Sequence, residues 1–234
     1  MVTLEKYKYD SLPKYAKCAI VGRRGAGKTF LCRNLVQSQL SHKNISHTYI
    51  ICCSNNLHEW KDKLNTLNIS YHDIINENLI SEMKLKINLD EEIIIVIDNL
   101  FLEKNQYDDI LELKALILTT YPSLNLMPIN YTGTIFFLRE KNHSIIVDFY
   151  LIIKKYFISV PTYKNFIKLL FAATQNYSAI VVDGYSFGLF IINANDIIIK
   201  KQINTDYITE SVDSILKRFE KESVKFISGF EILI

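Results

Sequence analysis

One stretch constrains this chain more than any other: Val21-Gly22-Arg23-Arg24-Gly25-Ala26-Gly27-Lys28-Thr29. From Gly22 onward it satisfies G-x-x-x-x-G-K-[ST], the spacing of a loop that wraps phosphate groups. Three of the chain's seven glycines fall at 22, 25 and 27. Glycine accepts positive φ, so successive backbone N–H groups can turn inward toward an anion. The flanks agree. Cys18 to Val21 has the apolar character of a buried strand, and Phe30, Leu31, Leu35 and Leu40 recur at roughly helical spacing. A helix N-terminus therefore follows the loop and adds its dipole to the phosphate site. The candidate phosphate- and nucleotide-binding set is Gly22, Arg23, Arg24, Gly25, Ala26, Gly27, Lys28, Thr29 and Phe30. Lys28 is expected to reach the β- and γ-phosphates, and the Thr29 hydroxyl to ligate Mg²⁺.

A second feature places an acid opposite that loop. Glu91-Glu92-Ile93-Ile94-Ile95-Val96-Ile97-Asp98-Asn99 contains five consecutive β-branched residues. Such a run suits a strand buried on both faces of a parallel sheet. An acid at the C-terminal end of that strand is where a Walker B carboxylate holds Mg²⁺. Ligands of open parallel sheets bind at the same edge. Asp98 is thus the second expected metal ligand, and a strand ending in an ordinary polar turn is the plainer alternative.

Bulk composition narrows the class. The chain has 234 residues, 49% of them hydrophobic, enough for one α/β domain with a sizeable core. A net charge of +2 leaves no strong global field for nucleic acid, so any DNA contact has to come from local basic patches. The four cysteines (18, 32, 52 and 53) form no C-x-x-C pair and read as small buried hydrophobes in a reducing compartment. The five histidines have no zinc-ligand spacing. No charged-then-apolar leader opens the sequence, so none is expected. The apolar stretch Ser144 to Val160 is broken by Asp148, Lys154 and Lys155, which argues against a membrane span.

Taken in order, residues 1–14 are polar and rich in Tyr and Lys, and read as an arm or a disordered end. Residues 15–234 read as a single domain. Strands are expected at Cys18–Val21, Ser46–Cys53, Ile69–Tyr71, Glu91–Asn99, Leu116–Leu118 and Thr134–Leu138. Helices are expected after the loop, around Trp60 and Leu64, and at Asn78–Ile87, Tyr107–Lys114, Ile145–Phe157, Tyr163–Ala173 and Tyr207–Phe226. Ala179–Val182 and Leu189–Ile192 look like a hairpin around Asp183-Gly184-Tyr185. From about residue 140 the chain is a helical and hairpin elaboration of the core. The fold class is α/β: a three-layer P-loop NTPase sandwich with a mainly parallel central sheet.

The order of motifs is more specific than the loop. Leu12-Pro13 enters the first strand and loop, Ile50-Ile51-Cys52-Cys53-Ser54-Asn55 ends the second strand, and Asp98 ends the third. Then come Tyr121-Pro122, Thr134-Ile135-Phe136-Phe137-Leu138-Arg139, Phe166-Ile167-Lys168-Leu169 and Ala173-Thr174-Gln175-Asn176-Tyr177-Ser178-Ala179-Ile180-Val181-Val182-Asp183. From about Leu12 to Ile198 the chain resembles the virion DNA-packaging ATPases of poxviruses, other large DNA viruses and virophages, a branch of the FtsK–HerA superfamily. The resemblance implies a RecA/FtsK–HerA-like fold, ATP and Mg²⁺ as ligands, and a homo-oligomeric ring, pentamer or hexamer. It also implies double-stranded DNA as the moving substrate, capsid or vertex proteins as partners, and a place in the virion and at viral assembly sites in the host cytoplasm.

Two positions depart from that pattern. The second acid that usually follows the Walker B Asp, and positions the attacking water, is here Asn99. An amide orients water but takes no proton. The usual Gln at the end of the fourth strand is here Thr119 or Thr120. The chain's arginines are Arg23, Arg24, Arg33, Arg139 and Arg218, none of them between Asp98 and Thr119. Lys28, Asp98, Asn99 and Arg139 are the catalytic candidates. Arg139 reads either as an arginine finger for a neighbour's γ-phosphate or as a surface arginine, and Glu103 is a possible substitute acid. Arg23 and Arg24 stand either as a solvated pair or as contacts to a neighbour or DNA. Lys154, Lys155, Lys164 and Lys168 suit a DNA channel or a solvated face. Asp183 mimics a second Walker B but has no second loop to serve. Two rivals to an ATP-driven packaging motor remain: a nucleotide-binding subunit with weak or no hydrolysis, and a helicase-like replication factor.

Overall fold

The computed structural model describes residues 3–9, 12–64, 68–100, 102, 104–128, 131–156, 162–186, 188–195 and 210–211. Its centre is β5 (Ile93–Asp98), whose six residues are all buried. Ile94 and Val96 face one side of the sheet and Ile93, Ile95 and Ile97 the other. Each such side chain contributes roughly 1.5–3 kcal/mol on leaving water. A strand apolar on both faces needs helices above and below, and the chain supplies them.

Around β5 lie β2 (Lys17–Val21), β3 (His47–Cys52), β4 (Ile69–His72), β6 (Leu116–Tyr121) and β7 (Thr134–Phe137). β8 (Ser178–Asp183) and β9 (Gly188–Asn193) form an antiparallel hairpin beside β7. With β1 (Thr3–Lys6) and β10 (Glu210–Ser211), the sheet runs β10-β1-β9-β8-β7-β2-β6-β5-β3-β4. Every described pair from β7 to β4 is parallel. β1 pairs with β9 in parallel, so among the described strands β8 and β10 run against the rest.

One face is covered by α1 (Lys28–His42) and α2 (Leu57–Lys61), with Leu31, Leu35 and Trp60 packed on Ile94, Val96, Leu116 and Leu118. The opposite face carries α3 (Glu77–Asn88) and α4 (Lys104–Leu111) over Ile93, Ile95 and Ile117. Next to them α5 (His143–Tyr156) and α6 (Tyr163–Ala173) lie over Ala19, Val21 and Phe137. This is the expected three-layer α/β sandwich. Local signals agree with it: Asn76 caps α3 by accepting a hydrogen bond from Leu79 N–H at 2.9 Å. Among the described residues no helix is long and apolar enough to cross a membrane.

Three expectations change. The supposed arm at 1–14 contributes β1, and Leu4, Tyr7, Tyr9 and Leu12 are buried. Tyr7 N–H donates to Ile191 O at 2.9 Å, and its ring sits edge-on to Phe136 and Phe190. A four-residue strand with one apolar side chain has no readable period, and aromatic contacts distant in sequence dock it. β6 continues through Thr119, Thr120 and Tyr121, which look like an exit loop in the sequence. All three are buried, and threonine's β-branch suits a strand. Within the expected helix Tyr207–Phe226, Glu210 and Ser211 instead pair with β1 as β10, and the rest of that segment lies outside the described residues.

Candidate active site

The 22–29 loop bridges β2 and α1 and is pinned on both sides. Gly22 N–H donates to Tyr121 O at 3.1 Å, and Leu138 N–H donates to Val21 O at 2.8 Å. Both neighbouring strands thus extend their ladders to the loop's first residue. Gly25 and Gly27 have φ of 77° and 93°, where a side chain would be strained. Gly27 opens α1 without a side-chain cap, so the first-turn N–H groups are not claimed by a capping side chain.

Asp98 is fully buried and accepts three hydrogen bonds. Thr29 Oγ1 donates to Oδ2 at 2.9 Å, Trp60 Nε1 to Oδ2 at 3.0 Å, and Thr120 Oγ1 to Oδ1 at 2.7 Å. Strand parity makes this possible. Ile94 and Val96 face α1, so Asp98 faces it too; Leu116 and Leu118 share that face, so Thr120 does and Thr119 does not. The continuation of β6 through Tyr121 is what decides between the two threonines. Trp60 was expected merely as part of an amphipathic helix. Nothing in its spacing reveals an indole N–H aimed at a carboxylate.

Lys28 is buried, and its ammonium donates to Gly22 O at 2.8 Å and Arg23 O at 3.2 Å. Burial pushes its pKa down, opposed by the negative charges of Asp98 and Glu140. Glu140 is a site acid that sequence reasoning passed over. It is 4% exposed and follows β7. Its Oε1 accepts from Lys141 N–H at 2.7 Å and Asn142 N–H at 3.0 Å. Because β7 and β5 lie on opposite sides of β2, Glu140 and Asp98 flank Lys28. Cys52, which pairs in register with Asp98, has its thiol pushed up to about 12, by burial first and by Asp98 second.

The other candidates divide. Arg24 is exposed, Arg23 is half-buried with its Nε unpartnered, and Phe30 is half-buried on the first turn of α1. Asn99 is exposed in a left-handed conformation with φ 53°, its N–H donating to Thr120 Oγ1 at 2.9 Å. Arg139 is exposed next to buried Leu138 and Glu140. Lys154, Lys164 and Lys168 are exposed on α5 and α6. Glu103 and the Lys155 side chain lie outside the described residues. Among the described residues no three His, Cys, Asp or Glu side chains gather as a metal cage. The Thr29 hydroxyl and Asp98 carboxylate are donors of the right hard-oxygen kind for Mg²⁺.

Strand, glycine loop, buried lysine and helix N-terminus, with an acid on a strand one removed in the same sheet, define a P-loop NTPase fold. Solved structures that resemble this chain include two genome-packaging NTPases. The NTPase B204 from Sulfolobus turreted icosahedral virus 2, in complex with ATP-gammaS, superposes with a TM-score of 0.55 at 16% identity, covering 77% of this chain and 98% of that one. B204, the DNA-packaging ATPase from Sulfolobus turreted icosahedral virus, gives 0.54 at 17% identity, covering 76% and 97%. The chain shares their fold along nearly their whole length. No protein-family profile and no curated protein sequence matches it.

Proposed function

We propose that this chain binds ATP with Mg²⁺ at the 22–29 loop, hydrolyses it, and serves as the motor subunit of a viral genome-packaging machine. The observation that carries the reading is the Thr29–Asp98 contact of 2.9 Å beside a loop with two left-handed glycines. The fold shared with packaging NTPases supports the same reading. The loop's N–H groups and α1's N-terminus would hold the phosphates, and Lys28 would leave Gly22 O to neutralise the β- and γ-oxygens. Thr29 and Asp98 would hold Mg²⁺, which supplies charge neutralisation of the phosphates when bound. Trp60 and Thr120 fix the Asp98 carboxylate so that its geometry needs no rearrangement.

The finer parts follow from the family likeness. The working form is a homo-oligomeric ring that moves double-stranded DNA into a capsid through contacts with vertex proteins, in the virion and at assembly sites in the host cytoplasm. Exposed Arg139 is available to a neighbouring subunit's γ-phosphate, and the exposed lysines of α5 and α6 are available to DNA. The test is steady-state ATP hydrolysis with and without double-stranded DNA, with Lys28→Ala as control. The expected result is DNA-stimulated turnover that falls about 10²-fold or more in the variant. A wild-type turnover that survives undiminished in Lys28→Ala would overturn the site. One observation favours a second reading, a nucleotide-holding subunit without hydrolysis: the position after Asp98 carries an exposed amide instead of an acid. Tight ATP binding without turnover would select it. Strand separation would select a helicase.

A further inference from the structure

Tyr177 is out of place as a structural residue. It sits on the turn between α6 and β8 and is 51% exposed. Its φ is 61°, and that of the preceding Asn176 is 50°. The other described non-glycine residues with positive φ are Asp90 and Asn99, short polar types that tolerate it. A bulky side chain there is a genuine outlier, and such strain persists only where the surroundings enforce it. Here they do. Ser178 N–H donates to Gln175 O at 2.9 Å, Ala194 N–H donates to Tyr177 O at 3.2 Å, and Asn193 Nδ2 donates to Asn176 O at 3.3 Å.

The turn presents the ring to the phosphate loop. A Cβ on Gly27 would come within 2.5 Å of Tyr177 Cδ1, so the ring lies directly against the loop's last glycine. Its other neighbour is Phe30 on the first turn of α1, with centroids 5.2 Å apart and planes tilted by 56°. The Arg33 guanidinium stands 5.6 Å from the Phe30 ring. A half-exposed tyrosine held in a strained backbone, beside a site built for phosphates, buries little apolar surface for its cost. What it offers a ligand is the exposed half of its surface beside the loop.

We propose that Tyr177, backed by Phe30, is the platform on which the base of the bound nucleotide stacks. The inference rests on the nucleotide reading of the loop and extends it from phosphates to base. In any nucleotide the base lies one ribose from the first phosphate, so an aromatic face at the loop's edge is within its reach. Stacking exploits a feature every base has, so this platform holds the base without choosing among bases.

Calorimetric titration of the full chain with Mg-ADP, Mg-GDP and Mg-pyrophosphate tests it. Tyr177→Ala is expected to weaken both nucleotides about tenfold, the size of one lost base–aromatic stack. Pyrophosphate affinity stays at the wild-type value, and Tyr177→Phe retains wild-type binding of all three. Tyr177→Leu keeps apolar bulk against Gly27 and Phe30 without a π-face, and is expected to behave as Tyr177→Ala does. An equal loss for pyrophosphate and nucleotide would show that the ring only shapes the loop, and would overturn the proposal. Unchanged nucleotide affinity in Tyr177→Leu would overturn it too. Wild-type protein that binds neither nucleotide nor pyrophosphate would instead bring down the nucleotide reading itself.

Discussion

Asp98 and Asp183 end two strands that look alike in the sequence, Ile-Ile-Ile-Val-Ile-Asp and Ser-Ala-Ile-Val-Val-Asp. Both carboxylates are buried and both accept three hydrogen bonds. Asp98 takes its bonds from Thr29, Thr120 and Trp60. Asp183 takes them from Thr134 Oγ1 at 2.8 Å, Tyr185 N–H at 3.2 Å and Ser186 Oγ at 2.6 Å. The difference is strand direction. β5 runs parallel to β2 through β6, so its C-terminal end reaches the loop edge of the sheet. β8 runs antiparallel to β7, so its C-terminal end lies at the opposite edge, beside the first residue of β7. An apolar run closed by an acid therefore meets Thr29 only where the sheet carries it to the loop edge. Elsewhere the same pattern closes a hairpin.

Exchanging the two aspartates for asparagine sharpens this contrast most. Asp98→Asn keeps the shape and one of the two acceptor oxygens but removes the charge that would face Mg²⁺ in the proposed site. Turnover is expected to drop about 10²-fold. Asp183→Asn is expected to leave DNA-stimulated turnover unchanged while destabilising the fold by about 1–3 kcal/mol, the range for weakened hydrogen bonds to a buried charge. Thermal melts and steady-state rates on both variants read the two effects. If Asp183→Asn lost turnover as Asp98→Asn does, strand direction would not be what separates them.

The support of Asp98 provides the next test. Trp60 is the chain's one tryptophan and is fully buried, so intrinsic fluorescence reports on the group that touches the carboxylate. Mg-nucleotide is expected to shift Trp60 emission, and Asp98→Asn to reduce the shift. Trp60→Phe removes the donor while leaving an aromatic ring. Supporting contacts of this kind typically change metal affinity by about 10-fold or somewhat more, so the Mg²⁺ dependence of turnover should move right. An unmoved Mg²⁺ curve would make the indole a packing residue that happens to lie near Asp98.

The legible parts of the molecule were those with a period or a fixed spacing. The loop 22–29, the buried run of β5 and the helices α3 and α6 all carry one. The strand β1 has neither, because Leu4 alone is its apolar anchor and its docking depends on rings at 136 and 190. At the site, the meeting of Thr29 with Asp98 was legible, because a loop between a strand and a helix and an acid closing a parallel strand belong to one sheet edge. The placement of Trp60, Glu140 and Tyr177 beside these residues was not, since each comes from a different element. Trp60 comes from α2, Glu140 from the loop after β7, and Tyr177 from a strained turn. Thr120 lay between: the sequence left it open against Thr119, and only the extension of β6 to Tyr121 carries the alternation of Leu116 and Leu118 on to it.

The smallest expected effect concerns Asn99, the position after Asp98 where the proposed reading looks for a second acid. Asn99 sits at φ 53°, a conformation that Asn and Asp both tolerate. The Asn99→Asp change therefore fits the backbone, whereas Asn99→Glu adds strain as well as charge. If the missing carboxylate limits hydrolysis, Asn99→Asp raises DNA-stimulated turnover several-fold and Asn99→Glu raises it less. Glu140 is the competing acid, since its charge already acts on Lys28. It approaches from the β7 side, however, and Oε1 is occupied by two backbone N–H groups, which suits a carboxylate that steadies Lys28 rather than one that takes a proton. Glu140→Gln should accordingly lower nucleotide affinity more than it lowers the maximal rate. A maximal rate abolished by Glu140→Gln and untouched by Asn99→Asp would move water activation across the loop to the β7 side. The amide at 99 would then be the residue that its left-handed turn prefers.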